Sequence, residues 1–307
     1  MFYCSHPSGA IDLRLAVSLV FISVKTILMS IAVIGSHGQL GTDLMHVLGD
    51  EAIGLTHADI EITDPASIDA SLDERSPNIV INTAAYNLVD KAEEEPESAF
   101  AVNAFAPLNL ARACASRDIT LVHVSTDYVF GQDAEHTTPY TEQDRPGPVS
   151  VYGTSKLAGE HLVTAGCPRS FVVRTCGLYG NATSPGKGNF VRTMLRLGQD
   201  RDELTVVNDQ RCTPTATADV ATAIAALIRT DAYGLYHCTN ASDTTWCELA
   251  QTIFEIAGLD VTVKPITTSE FGAPARRPSY SVLNCDRLTS VTDVTMPHWR
   301  DALTDYL

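Results

Sequence analysis

The sequence predicts an α/β fold: a doubly wound, mostly parallel sheet with a smaller C-terminal region. Three observations predict it. From Met29 to Val124, short β-branched runs alternate with helix-like stretches. The runs are nearly continuous in apolar residues, as strands covered on both faces must be. A glycine-rich turn joins the first run to the first helical stretch.

The first strand is Ile31–Gly35, a β-branched run ending in glycine, and a helical stretch follows from Gly38 to Leu48. Ala52–Leu55 is the second strand. Asp64-Pro65 marks a helix start, with Asp64 at the N-cap and Pro65 at the first helical position. Asn78–Asn82 is the third strand. Glu97–Ser116 carries helical apolar spacing through Phe100, Asn103, Ala104, Leu108 and Ala111. Ile119–Val124 is the fourth strand, with His123 its one polar member. After Arg174 the alternation loosens. Gly177–Gly188 reads as loop, Leu204–Val207 and Leu235–Cys238 as further strands, and Pro265, Pro274, Pro278 and Pro297 punctuate an irregular final third. No internal repeat or low-complexity tract appears.

Composition narrows the function classes. With 21 Lys plus Arg against 37 Asp plus Glu, the 307-residue chain has a formal charge of −16. Phosphate binding needs clustered positive charge, so nucleic acid and anionic membranes are poor partners and a small molecule is expected. Hydrophobic residues make up 45%, enough to bury a large core and exclude disorder as the main state. The eight cysteines (Cys4, Cys114, Cys167, Cys176, Cys212, Cys238, Cys247, Cys285) are scattered, with no C-x-x-C and no zinc-ligand spacing. They read as free thiols in a reducing, cytoplasmic setting.

Residues 1–28 read as an upstream extension without function, such as a misplaced start codon would produce, with a membrane anchor as the alternative reading. Asp12, Arg14 and Lys25 interrupt their apolar stretch. Its longest run, Leu15–Val24, falls short of the roughly 20 residues that span a bilayer. No small-residue cleavage site follows Lys25.

Two motifs carry chemistry. Gly35-Ser36-His37-Gly38-Gln39-Leu40-Gly41 is a G-x-x-G-x-x-G placed between a strand and a helix. Glycines there let the backbone turn tightly and approach a pyrophosphate at a helix N-terminus. His37 reads as a solvent-facing loop residue. The second strand ends in Leu55-Thr56-His57, with no acid at its tip for a ribose 2′-hydroxyl and no arginine for a 2′-phosphate. The missing acid leans the choice towards NADP and leaves NAD open.

The second motif is Tyr152-Gly153-Thr154-Ser155-Lys156, with Tyr and Lys one helical turn apart on one face. An ammonium near a phenol stabilises phenolate, bringing the tyrosine into a usable range as proton donor to an alkoxide. It follows Ser125-Thr126-Asp127-Tyr128-Val129-Phe130 at the end of the fourth strand. Ligands in parallel sheets bind at that carboxyl edge, where a hydroxyl of Thr126 or Ser125 can hold a carbonyl oxygen.

These blocks, with Asn82–Tyr86, Val89–Glu93, Arg174-Thr175, Leu178–Gly180, Asn189-Phe190, Val206–Gln210, Thr213–Thr215, Gly234–His237 and Ala275–Pro278, resemble extended short-chain dehydrogenases. Within that group the chain resembles the dTDP-4-dehydrorhamnose reductases, from about Met29 to the C-terminus. The resemblance implies a Rossmann sheet over residues 29–175. It also implies a mainly substrate-binding region over 176–307, with elements near 215–238 returning to the sheet. The implied reaction reduces the 4-keto group of dTDP-4-dehydro-L-rhamnose with NADPH, or with NADH. The implied catalytic set is Thr126, Tyr152 and Lys156. Gly35, Gly38, Gln39, Leu40, Gly41, Glu61, Ile62, Ala84, Ala85 and Tyr86, besides Tyr152 and Lys156, would contact the cofactor. Thr126, Asp127, Asn189, Phe190 and Arg277 would face the nucleotide sugar.

Several departures from the family pattern stand out. Arg174-Thr175-Cys176-Gly177 replaces the family's R-T-S-W, so a tryptophan expected in the sugar pocket is absent. Glu61 stands in the adenine-side D-[IL]-T-D motif, and the loop between Thr126 and Tyr152 looks slightly long. Some members bind magnesium through glutamates at a dimer interface. Here Thr295–Leu307 offers Asp301 and Asp305 but no glutamate, and no metal site is assigned. The expected protein is a monomer or homodimer. Alternatives are reduction of another nucleotide-deoxyhexulose, or the role of the non-catalytic, dinucleotide-binding regulatory subunits of methionine adenosyltransferase that share this fold.

Overall fold

A computed structural model describes residues 1–2, 29–182 and 188–307. The proposed extension, from residue 3 to 28, and part of the Gly177–Gly188 loop lie outside the described residues.

The chain runs β1 (Ile31–Ile34), α1 (Gln39–Leu48), β2 (Ala52–Leu55), α2 (Pro65–Arg75), β3 (Ile79–Asn82), α3 (Val89–Glu94) and α4 (Pro96–Phe100). It continues through α5 (Ala106–Ala115), β4 (Thr120–Thr126), α6 (Val151–Gly166), β5 (Ser170–Thr175), β6 (Leu178–Tyr179), α7 (Phe190–Asp200), β7 (Glu203–Val207), β8 (Arg211–Cys212) and β9 (Thr215–Ala216). The last elements are α8 (Thr217–Leu227), β10 (Gly234–His237), β11 (Thr244–Thr245), α9 (Trp246–Ala257), β12 (Thr262–Ile266), α10 (Thr268–Phe271), α11 (Asp286–Thr292) and α12 (Trp299–Tyr306).

Six strands form one parallel sheet in the order β10-β5-β4-β3-β1-β2. Alternate side chains of each strand enter different cores, which is the period-2 rule applied to a sheet covered on both faces. Ile31, Val33, Ile79, Ile81, Phe171 and Val173 join α1, α8 and α11 on one face. Ala32, Ile34, Val80, Leu121 and Val172 join α2, α5 and α6 on the other. A third core gathers α7, α9, α12, β7 and β12 around Phe254, Ile253 and Leu303. The chain order reverses between β1 and β3, so their carboxyl ends open the crevice where ligands of such sheets bind.

Local chemistry sets the boundaries. Asp64 caps α2, its Oδ1 accepting from the Ala66 amide at 3.0 Å, and Pro65 follows. The helix expected over Glu97–Ser116 begins at Pro96 and contains a π turn, Ala101–Phe105, between α4 and α5. Pro107 has no N–H to offer the carbonyl of Asn103, so the ladder widens there. The segment read as loop from Gly177 contains the two-residue strand β6, paired with β9. Among the described residues, no helix is long and apolar enough to cross a membrane.

Candidate active site

A cleft of about 720 Å³ opens at the crevice. The turn after β1 (Gly35 and Gly38–Gly41), Thr83–Ala85 after β3, Ser125–Tyr128 at the end of β4, and Thr175–Gly177 at the end of β5 all line it. Tyr152 and Lys156 reach it from α6, and Asn189, Gln210, Cys212, Trp246 and Ser281 complete the C-terminal side. Sequence-distant residues thus meet because four strand ends share one edge.

The glycine turn fits an anion. Gly38 is the N-cap of α1 with no side-chain cap, and no acidic residue stands in the first helical turn. The free amides and the positive end of the helix therefore face the cleft unopposed. Thr56, His57 and Ala58 line its far end. Asp59, the nearest acid after β2, is turned away: its Oδ2 accepts from the Thr56 amide at 2.9 Å and the Thr56 hydroxyl at 2.7 Å. Those bonds hold its carboxyl below the usual range. The arrangement suits a dinucleotide and commits no carboxylate to its ribose.

α6 is anchored where the chemistry needs it. Ser150 caps it by accepting from the Gly153 amide at 3.1 Å, and Glu93 of α3 accepts from the Val151 amide at 2.9 Å. Lys156 is buried and donates to the Val124 carbonyl at 2.7 Å. Burial lowers its pKa to about 8, with Glu160 acting in the opposite direction. Tyr152 is half-buried, packs edge-on against Tyr128, and lines the cleft together with Thr126. Burial pushes the phenol up to about 12, Thr126 lowering it and Asp127 raising it. The Lys156 ammonium is directed at β4's main chain and is not among the groups that shift the phenol. The tyrosine is thereby a proton donor at every ordinary pH.

Thr126 donates to Asp127 Oδ1 at 3.1 Å, and Asp127 Oδ2 accepts from Ser281 at 2.6 Å and Cys176 Sγ at 3.0 Å. Burial raises the Asp127 carboxyl while these donors lower it. Asn189 lines the cleft, but its amide is engaged: it donates to Gln39 Oε1 and Gly180 O at 2.8 and 3.1 Å. That contact ties the glycine turn to the segment after β5.

Five residues singled out in the sequence lie outside the cleft lining. Glu61 accepts from the Thr63 amide and hydroxyl at 3.0 and 2.7 Å, so its carboxylate serves its own turn. Ile62 packs into the core beneath α2. Tyr86 donates to Glu95 at 2.8 Å. Arg277 forks onto Asp90 at 2.7 and 2.8 Å. Phe190 packs behind Trp246.

Sequence reasoning missed four contributors. Trp246, Ser281 and Cys212 come from the irregular final third, where nothing in the pattern signals convergence. Asn103 was legible only as a polar residue on an apolar stripe. It is buried and binds both Tyr86 N and O at 2.9 Å and Ser155 Oγ at 3.0 Å, tying the loop after β3 to α6. The seven described cysteines are free, six buried and Cys285 half-buried. Among the described residues, no three His, Cys, Asp or Glu side chains gather to hold a metal.

The fold and the cleft together define a Rossmann-type short-chain dehydrogenase architecture. Residues 29–307 match the family model described as the RmlD substrate binding domain. The dTDP-4-dehydrorhamnose reductase of Streptomyces griseus is 41% identical over 283 residues, covering 89% of this chain and 91% of that protein. A solved dTDP-4-dehydrorhamnose reductase of Clostridium acetobutylicum is 42% identical, with a TM-score of 0.85 over 91% of this chain and 98% of that one. That of Bacillus anthracis, solved in complex with NADP, is 38% identical with the same TM-score and coverage. The chain belongs to the dTDP-4-dehydrorhamnose reductase family.

Proposed function

We propose that the protein reduces the 4-keto group of dTDP-4-dehydro-L-rhamnose to give dTDP-L-rhamnose, using NADPH in preference to NADH. One observation carries the reading. The Tyr152 phenol and the Thr126 hydroxyl meet in a cleft that also contains an uncapped, acid-free helix N-terminus. The relatives named above, one of them bound to NADP, support it.

The cofactor, when bound, supplies the hydride. The amides of Gln39, Leu40 and Gly41 at the start of α1 would bind its pyrophosphate, and Ala84 and Ala85 leave room beside it. Lys156, fixed on Val124, orients the ribose. Thr126 holds the sugar's carbonyl oxygen and Tyr152 gives that oxygen its proton, which solvent later restores. Asp127 faces the sugar. Asn189, Phe190 and Arg277 act as positioning residues behind it. The absence of an uncommitted acid after β2 supports NADPH. Residues 29–175 would then hold the cofactor, and 176–307 would cover the sugar except where 215–238 returns to the sheet.

A screen of nucleotide keto-sugars with both cofactors, following the absorbance of the reduced nicotinamide, tests this. Turnover of dTDP-4-dehydro-L-rhamnose should exceed that of the other sugars, and Tyr152→Phe should lower it by about 10²–10⁴-fold with NADPH binding intact. Tight NADPH binding without turnover of any keto-sugar would favour a regulatory subunit and overturn the reading.

A further inference from the structure

Gly177 follows β5 in the cleft wall at φ +54°, a backbone region that favours glycine. A Cβ built there would stand 3.3 Å from Pro214 Cα and 3.4 Å from Trp246 Cη2. The indole edge therefore lies against the place where a side chain at 177 would begin. The tryptophan missing from the R-T-S-W position is matched by one arriving from elsewhere in the chain.

Trp246 is held firmly. It opens α9 directly after the cap, where Thr245 accepts from the Glu248 amide at 3.1 Å and Glu248 accepts from the Thr245 amide at 3.0 Å. The Phe190 ring packs on it at 4.8 Å and 51°. It is nonetheless half-buried and lines the cleft. The same cleft holds a polar group of different character, Asp127 with Ser281 and Cys176. A 6-deoxyhexose needs both kinds of surface: hydrogen-bonding groups for its hydroxyls, and an apolar wall for its C–H face and methyl group.

We propose that Trp246 is the specificity-determining wall of the sugar site, taking the place of a side chain that Gly177 lacks. The ligand is the deoxyhexose ring of a nucleoside-diphosphate sugar, and the inference rests on the ketoreductase reading. Rigid capping and Phe190 give the ring a fixed position, so it selects by shape without ordering cost on binding.

The chain has two tryptophans, and the other, Trp299, is buried in the third core. Indole emission therefore reports on this wall without any turnover. The NADP-loaded protein should show a saturable emission change with dTDP-L-rhamnose and none with dTDP alone, and the change should vanish in Trp246→Phe. Trp246→Ala should raise KM for the keto-sugar about tenfold, with kcat and the NADPH Kd little altered. Trp246→Phe keeps a ring against Phe190 and should raise KM less, which decides the matter if the alanine variant does not fold. An equal change with dTDP alone, a change persisting in Trp246→Phe, or an unaltered KM in the variants would overturn the proposal. Absence of turnover of every sugar by the wild type would instead sink the ketoreductase reading, and the titration distinguishes the two failures.

Discussion

The ammonium of Lys156 donates to the main-chain carbonyl of Val124 at 2.7 Å, two residues before Thr126 in the same strand. That bond fixes the lysine to the strand that carries Thr126 into the cleft lined by Tyr152. Burial lowers the lysine to about 8, whereas the phenol stays protonated to about 12. Keto-sugar reduction should therefore run flat through neutral pH and fall above about 8, as Lys156 loses its charge. Lys156→Arg, which remains charged, should lack that basic limb, and Lys156→Met should lose most activity at every pH. The pH dependence of kcat checks this; an unchanged limb in the arginine variant assigns it to another group. The stability effect has its own sign. Between about 8 and the ordinary lysine value the unfolded chain binds more protons, so stability from this group rises with pH there.

Behind the site lies a buried ion pair. Arg174 donates from Nε to Glu160 Oε1 at 2.9 Å and from Nη2 to Oε2 at 2.7 Å, and Ser125 donates to Oε1 at 2.5 Å. His237 completes it: burial and Arg174 lower its pKa to about 3, so the neutral ring accepts from Arg174 and donates from Nδ1 to Tyr140 O at 3.0 Å. Removing one charge leaves the other stranded in the core. Glu160→Gln should cost about 3 kcal/mol, read from urea midpoints. Glu160→Met with Arg174→Met together should cost less than Glu160→Gln alone. A double variant as damaged as the sum of its singles would show instead that the two side chains act independently, with no coupling between them.

What the sequence disclosed follows from which interactions are local. Strands β1 to β4, the Asp64 cap and the Gly35–Gly41 turn were legible because apolar runs, N-cap chemistry and glycine spacing act within a few residues. The meeting of Thr126, Tyr152 and Lys156 was legible because a strand end and a helical turn fix it. The π turn at Ala101–Phe105 was not, since it depends on how Pro107 breaks a ladder. The wall formed by Trp246, and the engagement of Asp59, Tyr86 and Arg277 by neighbours, depend on tertiary packing across as many as 187 positions of separation. The family resemblance placed Arg277 facing the nucleotide sugar; the fork onto Asp90 engages its guanidinium instead.

The closest backbone approach in the glycine turn yields the sharpest mutational contrast. A Cβ on Gly41 would lie 2.2 Å from the Gly35 carbonyl oxygen and 2.8 Å from Ser36 Cα, both main-chain atoms that no rotamer change can move. A Cβ on Gly38 would meet only the Gly35 oxygen, at 3.2 Å, and its backbone at φ −74° and ψ 173° suits alanine. Gly41→Ala must therefore push α1 away from the turn, which should destabilise the fold by about 1–3 kcal/mol and weaken NADPH binding about tenfold or more. Gly38→Ala should leave thermal stability nearly unchanged. Calorimetric NADPH titrations and melting curves on the two variants decide it, since equal behaviour would mean that the helix N-terminus does not need its present distance from the turn to hold the dinucleotide.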